Sequence, residues 1–255
     1  MKQTKDLMGM TITVEIADNN AVKTSIDKVF SYFENVENKF SVFKTTSEIT
    51  LINNGKIKEN RWSKEMKLVF ALAEKTKKET NGYFNIVVPD GKFNPSGLVK
   101  GWAIYNASKL LLAQGFKNFY VDAGGDIQVH GKNEQNRYWS VGIKNPFNQE
   151  QIVKVLYLKN QGIATSGTYL RGQHIYDPHA RSRPLTEIVS ISVIGPNVYE
   201  ADRFATAAFA MGEKGIRFIE NLKGFEGYMI DKNGIGTETS GFEKYDIYDE
   251  NDENV

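Results

Sequence analysis

The sequence contains no cysteine among its 255 residues. This absence excludes disulfide bonds, thiolate metal sites, cysteine nucleophiles and a lipid-modified amino-terminal cysteine within the chain. An excess of charge of one sign is also missing, because 32 Lys and Arg residues oppose 31 Asp and Glu residues and leave a net charge of +1. So small a net charge produces no strong electrostatic field that would attract nucleic acid or an anionic membrane.

Long apolar runs are missing as well. Residues 1–7 contain no apolar stretch of signal-peptide length, and no segment is long enough to span a bilayer. We therefore expect a cytoplasmic protein without membrane insertion. For the oligomeric state the sequence leaves both a monomer and a homodimer open. The length and the 40% share of hydrophobic residues are ordinary for a globular chain that buries a sizeable core.

Hydrophobic periodicity predicts a mixture of strands and helices. Strands are expected at residues 11–16, 119–123, 127–131, 138–143, 152–158, 188–194 and 227–231, and helices at about 22–40, 63–80, 98–114, 200–211 and 216–222. The alternating segments 138–143 and 152–158 are expected to pair as antiparallel neighbours. Residues 43–54 fit either a short helix or a loop. The pattern predicts an α+β fold, with largely antiparallel sheet packed against helices, in a single domain over residues 1–255 whose acidic tail frays from about residue 243.

The stretch Ala164–Pro178 combines hydroxyl, glycine and charged residues with few apolar side chains. This composition is poor for a core strand and suited to a polar pocket. Gly167 and Gly172 lack the Cβ atom that would keep a ligand away from the backbone. The guanidinium of Arg171 can bind phosphate or carboxylate oxygens, and an imidazole such as that of His174 can transfer protons near neutral pH.

Asp202 and Thr206 stand four residues apart in a predicted helix, so their oxygen atoms project from one face. A carboxylate and a hydroxyl suit a hard cation such as Mg²⁺, which also binds phosphate oxygens. The alternative is an ordinary acid in the first turns of a helix and a threonine that bonds its own helix backbone.

Two further segments have an alternative structural explanation. Asn94–Gly101 ends an irregular loop and begins a helix, where exposed N–H groups favour anions and Lys100 adds positive charge. Plain helix capping is the alternative for this segment. Gly124-Gly125 interrupts a strand, either to let the backbone approach a ligand or to form a bulge or tight turn. His130 and His179 have no evident partners and are expected at the surface.

The order of these motifs along nearly the whole chain resembles that of the ApbE-like family, the FAD:protein FMN transferases, and most of all its compact single-domain branch. The motifs are Met8-Gly9-Met10, Phe40-Ser41-Val42-Phe43, Thr46-Ser47-Glu48-Ile49, Gly82-Tyr83-Phe84, Pro95-Ser96-Gly97-Leu98-Val99-Lys100-Gly101-Trp102-Ala103, Asp122-Ala123-Gly124-Gly125-Asp126-Ile127, Ala164-Thr165-Ser166-Gly167, His174-Ile175-Tyr176-Asp177-Pro178, Ala201-Asp202 and Ala205-Thr206-Ala207. Each motif is common alone, whereas the ordered series is highly specific.

The resemblance implies an enzyme that binds FAD and uses Mg²⁺ to move FMN onto a Thr or Ser hydroxyl of an acceptor flavoprotein, releasing AMP. By position, Asp202, Thr206 and the backbone oxygen of Gly97 would hold the metal. His174 would be the base that deprotonates the acceptor hydroxyl, and Arg171 is a further catalytic candidate from its charge. The flavin nucleotide would be bound by Met8, Asn94, Gly97, Lys100, Gly124, Gly125, Asp126, Thr165, Ser166 and Gly167.

The sequence departs from the family pattern at two places. Asn94 stands where the family commonly has Asp, and His179-Ala180 follows Asp177-Pro178 where the family usually continues with Thr-Gly. The segment after Pro178 is therefore either variable or shaped for a particular acceptor. An FAD pyrophosphatase that gives FMN to water, and a non-catalytic protein that stores FAD, are the alternative functions.

Overall fold

The chain forms a large antiparallel sheet with helices on one face, described by a computed structural model over residues 1–168, 175–180 and 185–248. The strands are β1 (Lys2–Leu7), β2 (Met10–Ile16), β3 (Phe119–Ala123), β4 (Asp126–His130), β5 (Trp139–Asn145), β6 (Asn148–Leu158), β7 (Gly162–Gly167), β8 (Ile188–Gly195), β9 (Glu226–Asp231) and β10 (Gly236–Glu238). The α-helices are α1 (Lys23–Phe40), α2 (Glu48–Asn53), α3 (Lys64–Glu79), α4 (Ser96–Ala113), α5 (Val198–Ala210) and α6 (Gly215–Glu220).

Eight strands make up the main sheet in the order β1-β2-β3-β4-β7-β8-β9-β10, and each neighbouring pair is antiparallel. One face is covered by helices, because the apolar side chains of α1, α3 and α4 pack with those of β2 and β3 while α5 and α6 pack on β8. The β5–β6 hairpin covers the other face, with alternate residues buried against β4, β7 and β8. This arrangement places α4 and α5 side by side on one face.

Local sequence explains where the helices of this layer begin and which side they bury. Buried residues recur along α1 at three- and four-residue intervals, from Ile26 through Val29 and Phe33 to Phe40, which gives it one apolar face. The α5 helix begins after Asn197, whose side chain accepts a hydrogen bond from the Glu200 N–H at 3.0 Å and so caps the helix.

The predicted fold class is confirmed, and the predicted helices and strands lie within a few residues of the observed ones. The pairing of β5 with β6 is also confirmed, and part of the ambiguous segment 43–54 forms α2. The β1 strand was not predicted. Its sequence is polar because it lies at the edge of the sheet, where backbone pairing with β2 forms it rather than an apolar pattern.

The prediction that residues 164–167 are unsuited to a core strand was wrong. They belong to β7, which lies between β4 and β8 and has α5 directly against it. A Cβ atom on Gly162 would lie 1.9 Å from the Val198 nitrogen, so only glycine fits at this position beneath the helix, while Ile163 faces the hairpin side. Small and hydroxyl residues are therefore what the helix side of this central strand requires.

The end of the described chain packs on the hairpin side of the sheet. Residues 242–245 form a single 3₁₀ turn in which Phe242 and Tyr245 are buried, and Asp246 pairs with Lys154. The predicted fraying from residue 243 thus does not extend over this turn, and residues 249–255 lie outside the described part. No helix of the described ranges is long and apolar enough to cross a membrane.

Candidate active site

The first turns of α4 and the middle of α5 bring together the three residues predicted to bind a metal. Asp202 accepts a hydrogen bond through Oδ2 from the Gly101 N–H at 2.7 Å. One helical turn along, the Thr206 hydroxyl donates to the Gly97 carbonyl oxygen at 3.2 Å. Gly97 and Gly101 are four residues apart on α4, and Asp202 and Thr206 are four residues apart on α5. The contacts between the two helices therefore repeat once per turn.

Glycine allows this close approach of the helices. A Cβ atom on Gly101 would lie 2.6 Å from the Asp202 Cβ and 2.7 Å from the Val198 carbonyl oxygen. A Cβ on Gly97 would lie 3.0 Å from the Thr206 Cγ2. The two glycines of α4 therefore set the distance at which the oxygen atoms of α5 meet the backbone of α4.

The convergent oxygen atoms fit a small hard cation. Gly97 O and Thr206 Oγ1 are 3.2 Å apart, close to the roughly 2.9 Å between adjacent ligands of an octahedron with metal–oxygen distances of about 2.0–2.1 Å. Asp202, only 3% exposed, supplies the negative charge. Within the described ranges no group of three or more His, Asp or Glu side chains is arranged to hold a metal. A site with so few charges suits Mg²⁺, which commonly keeps waters and takes oxygens from a phosphate substrate.

A small cavity opens beside these residues. One side is formed by α4 and α5, through Gly97, Lys100, Asp202 and Thr206. The other side is formed by residues of the segments 83–88 and 175–178. At about 110 Å³ the cavity holds a compact group such as a phosphate, but it is too small for a whole dinucleotide.

A larger cavity of about 630 Å³ lies on the other side of Lys100 and shares Asn94, Ser96 and Lys100 with the small one. Its walls come from the β1–β2 turn, the end of α1, residues 41–44 and the start of α4, and they include the apolar side chains of Met8 and Phe40. The other lining residues are Gly9, Met10, Val36, Glu37, Ser41, Val42, Phe43, Lys44 and Val99. The size and apolar lining suit an aromatic ring system.

Lys100 lies at the junction of the two cavities. A buried ion pair with Asp126 holds it there. Its Nζ lies 2.6 Å from Asp126 Oδ2, and the side chains of Lys100 and Asp126 are 17% and 1% exposed. The other carboxylate oxygen of Asp126 accepts a hydrogen bond from the Thr165 N–H at 3.1 Å. Asp126 is thus covered by protein, and it connects the cation of α4 to the backbone of β7.

The remaining predicted nucleotide-binding residues lie at the ends of β3, β4 and β7. Gly124 and Gly125 form the exposed β3–β4 turn with φ angles of +62° and +92°, which glycine adopts readily. Thr165 directs its hydroxyl to Ser192 at 2.8 Å, and the Ser166 hydroxyl lies 3.5 Å from that of Thr206. Gly167 ends β7. Of these, Ser166 lies beside the predicted metal ligands.

The two other predicted catalytic residues, Arg171 and His174, lie outside the described residues. The structure resumes with Ile175, which lines the small cavity together with Tyr176 and Pro178. The chain that immediately follows His174 therefore borders the cavity that contains Asp202 and Thr206.

A side-chain turn at Asn94 precedes α4, whose own N-cap residue, Pro95, makes no side-chain capping hydrogen bond. The Asn94 side chain accepts hydrogen bonds from the Ser96 N–H at 3.2 Å and the Ser96 hydroxyl at 2.6 Å. Asn94 thus orders the turn before α4 and also lines both cavities, while anion binding by this segment stays a prediction.

Sequence reasoning missed the partners of the histidines outside the motifs. His179 is exposed, as expected, but its ring lies against Tyr83 and bonds the Asn81 carbonyl. His130 stacks on Phe119 and bonds the Lys117 carbonyl. Backbone carbonyls carry no sequence signal, so these partners were not predictable from residue types.

Comparison with known proteins identifies the family of this chain. A sequence profile of the ApbE family matches residues 8–90 and 88–229. The chain belongs to the ApbE family. The two matched ranges include Met8, both helices of the candidate site, and the segment that borders the small cavity.

Curated FAD:protein FMN transferases are about 30% identical to this chain over the matched part. The FAD:protein FMN transferase of Klebsiella pneumoniae is 30% identical over 162 residues, which are 60% of this chain and 46% of that protein. The enzyme of the same name from Escherichia coli K12 is 29% identical over 167 residues, which are 62% of this chain and 47% of that protein. The chain spans about half the length of these relatives.

Solved structures of the ApbE family agree in fold over almost the whole chain. The ApbE protein of Thermotoga maritima has a TM-score of 0.84 at 19% identity and covers 97% of this chain and 99% of its own. The flavin transferase ApbE of Vibrio cholerae has a TM-score of 0.82 at 22% identity, with 96% and 98% covered. These likenesses establish that the mixed helix and antiparallel-sheet architecture is that of ApbE proteins.

Proposed function

We propose that this protein is an FAD:protein FMN transferase. It moves FMN from FAD onto the hydroxyl of a Thr or Ser in an acceptor flavoprotein and releases AMP. The observation that carries the proposal is the convergence of Gly97 O, Asp202 and Thr206 beside a cavity that meets a second, apolar cavity at Lys100.

The two cavities fit the parts of FAD. An aromatic ring of FAD enters the larger cavity between Met8 and Phe40, where its apolar surface is removed from water. Phe43, which is 93% exposed at the rim of this cavity, offers a further aromatic face for stacking. The pyrophosphate then lies at Lys100, the only lysine that lines both described cavities, and extends into the small cavity.

The metal-binding residues would be Asp202, Thr206 and the carbonyl of Gly97. Mg²⁺ held there supplies positive charge that neutralises the pyrophosphate oxygens and favours attack on phosphorus. Lys100 adds a second positive charge at the junction of the two cavities, held in place by Asp126. With only one carboxylate in the set, we expect Mg²⁺ affinity to depend on FAD being bound.

The bond changes follow from the substrates. The acceptor hydroxyl oxygen forms a bond to the phosphorus of the FMN half, the bond from that phosphorus to the bridging oxygen breaks, and AMP leaves with the bridging oxygen. A Thr or Ser hydroxyl is a weak nucleophile until its proton is removed, and His174 is the residue to which we assign that proton. Water in place of the acceptor would give FMN and AMP, which is the pyrophosphatase reaction.

The test is intact mass spectrometry of a purified flavoprotein domain with a Thr or Ser flavinylation site, after incubation with this protein, FAD and Mg²⁺. We expect a mass increase of one FMN that requires Mg²⁺ and is lost in His174→Ala. Asp202→Asn keeps an oxygen to accept the Gly101 N–H but removes the negative charge, so it should raise the Mg²⁺ concentration for half-maximal transfer by about tenfold or more.

The alternatives give different products. Free FMN and AMP without an adduct, with every acceptor domain tested, would indicate a pyrophosphatase. FAD that is bound and remains intact would indicate storage. An unaltered Mg²⁺ titration in Asp202→Asn would remove Asp202 from the metal site even if transfer occurs.

A further inference from the structure

The wall of the small cavity that faces α4 and α5 is made of two chain segments. The first runs from Tyr83 to Val88, and the second, residues 175–178, follows directly after the candidate base His174. An acceptor hydroxyl has to reach the phosphate between this wall and the helices. The stability of the wall therefore bears on how the acceptor is placed.

Two side chains join these segments: Tyr176 of the second segment and His179 just after it bond backbone carbonyls within and just before the first. The Tyr176 hydroxyl donates to the Val87 carbonyl at 3.1 Å. The Nε2 atom of His179 lies 3.0 Å from the Asn81 carbonyl oxygen. A carbonyl oxygen only accepts, so His179 donates from a protonated Nε2.

The backbone around His179 is shaped for this contact. Asn81 and Gly82 both have positive φ angles, +50° and +85°, and form the turn after α3. A Cβ atom on Gly82 would lie 3.4 Å from the His179 Cε1, an ordinary contact distance, so the ring packs directly on this turn. The ring also packs edge-to-face on Tyr83, with centroids 4.7 Å apart.

The segment that carries His179 is itself ordered by Asp177. Its Oδ1 accepts from the His179 N–H at 2.8 Å, and its carbonyl oxygen accepts from the Ala180 N–H at 3.2 Å. This turn directs the imidazole toward Asn81 before any ligand is bound. His179 lies in the stretch after Asp177-Pro178 where the sequence departs from the usual family pattern.

We propose that His179 is a positioning residue for the acceptor step. It joins residues 175–180 to the turn at Asn81–Tyr83 and so fixes the wall past which the acceptor segment enters. This inference rests on the proposed transferase function. The apolar cavity assigned to an FAD ring is lined by the β1–β2 turn, α1 and α4, so loss of the His179 contacts should affect acceptor binding far more than FAD binding.

The test compares variants that remove one contact at a time. His179→Gln keeps an N–H donor and loses the ring, His179→Phe keeps the ring and loses the donor, and His179→Ala loses both. His130→Ala is the matched control, because His130 also bonds a backbone carbonyl and stacks on an aromatic ring but lies at the end of β4 away from Asp126.

The readout is steady-state transfer of FMN from FAD, with Mg²⁺, to a purified flavoprotein domain bearing a Thr or Ser site. For His179→Ala we expect the KM for the acceptor to rise about tenfold, a size typical of losing one hydrogen bond and one aromatic contact. The kcat and the FAD dissociation constant should stay within about twofold. The Gln and Phe variants should lie in between, and His130→Ala should match the wild type.

Hydrogen exchange of the same variants, without acceptor, separates this inference from the proposed function. Amides of residues 175–180 should exchange faster in His179→Ala than in His130→Ala. If the wild type modifies no acceptor, the transferase proposal and an acceptor role for His179 both fail, and the exchange data show whether the contact itself exists. If the wild type transfers FMN but hydrogen exchange is unchanged in His179→Ala, the positioning role is overturned while the transferase stands. The same holds if FAD affinity in His179→Ala weakens by as much as the KM for the acceptor rises.

Discussion

Asp126, one of the residues predicted to bind the nucleotide, is only 1% exposed in the structure. The sequence places it in a glycine-rich motif and suggests direct contact with the nucleotide. In the structure Asp126 is almost completely covered by protein. One of its carboxylate oxygens pairs with the Lys100 ammonium, and the other accepts a hydrogen bond from the Thr165 N–H. Its effect on FAD is therefore expected to act through the position of the Lys100 ammonium.

We predict that Asp126→Asn weakens FAD binding by about tenfold, or roughly 1.4 kcal/mol, because the amide no longer holds the Lys100 ammonium by charge. Fluorescence titration of FAD measures this. Asp90→Asn is the control, since Asp90 pairs with Lys92 at 3.0 Å on the surface and such pairs contribute little. Equal FAD affinity in Asp126→Asn and wild type would refute the role of the ion pair.

At this scale the sequence predicted which residue types matter but not how they are paired. Asp202 and Thr206 share a helix, so their common face followed from spacing alone. Lys100 and Asp126 are separated by a helix and a strand, and their ion pair depends on how α4 lies across the sheet. The partner of His179 is a backbone carbonyl, which no motif records.

The pairing of α4 with α5 is the element on which the candidate site depends. Four-residue spacing of Gly97 and Gly101 on one helix meets four-residue spacing of Asp202 and Thr206 on the other. We expect a side chain at Gly97 or Gly101 to separate the helices and to move the oxygen atoms of Asp202 and Thr206 away from the backbone of α4.

Gly101→Ala is accordingly expected to lower the stability of the fold by about 1–3 kcal/mol, as overpacking of a close contact does, and to weaken the dependence of activity on Mg²⁺. Urea unfolding and a Mg²⁺ titration measure the two effects. Lys109→Ala, at an exposed position of the same helix, should change neither. If Gly101→Ala has the same stability and the same Mg²⁺ dependence as the wild type, the close approach of the two helices is not needed for either.

Elements with clear apolar periodicity were predicted correctly, and those formed by their neighbours were not. Alternation revealed β5 and β6, and three- to four-residue spacing revealed α1. The polar edge strand β1 and the small-residue strand β7 carry no such signal, since pairing with β2 and contact with α5 determine them.

The molecule as a whole places the sheet between two layers, and Asp122 is partly buried on the face of the sheet away from the helices. Asp122 lies on the hairpin side, in a polar cavity lined also by Lys2, Glu15, Tyr120 and Glu134. Burial raises the pKa of Asp122, and the charge of Asp126 adds to this. Hydrogen bonds from the Gly125 N–H at 2.8 Å and the Tyr120 hydroxyl at 3.2 Å, together with the charge of Lys144, offset part of the rise in pKa.

An acid with a raised native pKa holds its proton in the folded state at a pH where the unfolded chain has lost it. Folding stability then falls as the pH rises from the ordinary Asp value of about 3.9 to the raised native value. We predict that Asp122→Asn is more stable than the wild type at neutral pH and that the difference shrinks on acidification through this window. Urea unfolding from about pH 3 to pH 8 tests this.

Glu134→Gln, which changes an exposed carboxylate of the same cavity, serves as the comparison and should show no such trend. A difference between Asp122→Asn and the wild type that is independent of pH, or a less stable variant at neutral pH, would contradict the effect of burial on Asp122.

The β7–β8 pair has a further consequence for how such a protein can change. Neighbouring antiparallel strands can be joined by two residues, yet here residues 168–187 intervene between Gly167 and Ile188. Six consecutive residue pairs, from Gly162↔Gly195 to Gly167↔Ser190, fix the register of the two strands without help from the connection. Lengthening a connection adds only about 0.6 kcal/mol per doubling. Insertions and substitutions in it can therefore accumulate with little loss of stability, so under the proposed function the wall on the acceptor side can diversify while α4 and α5 stay constant.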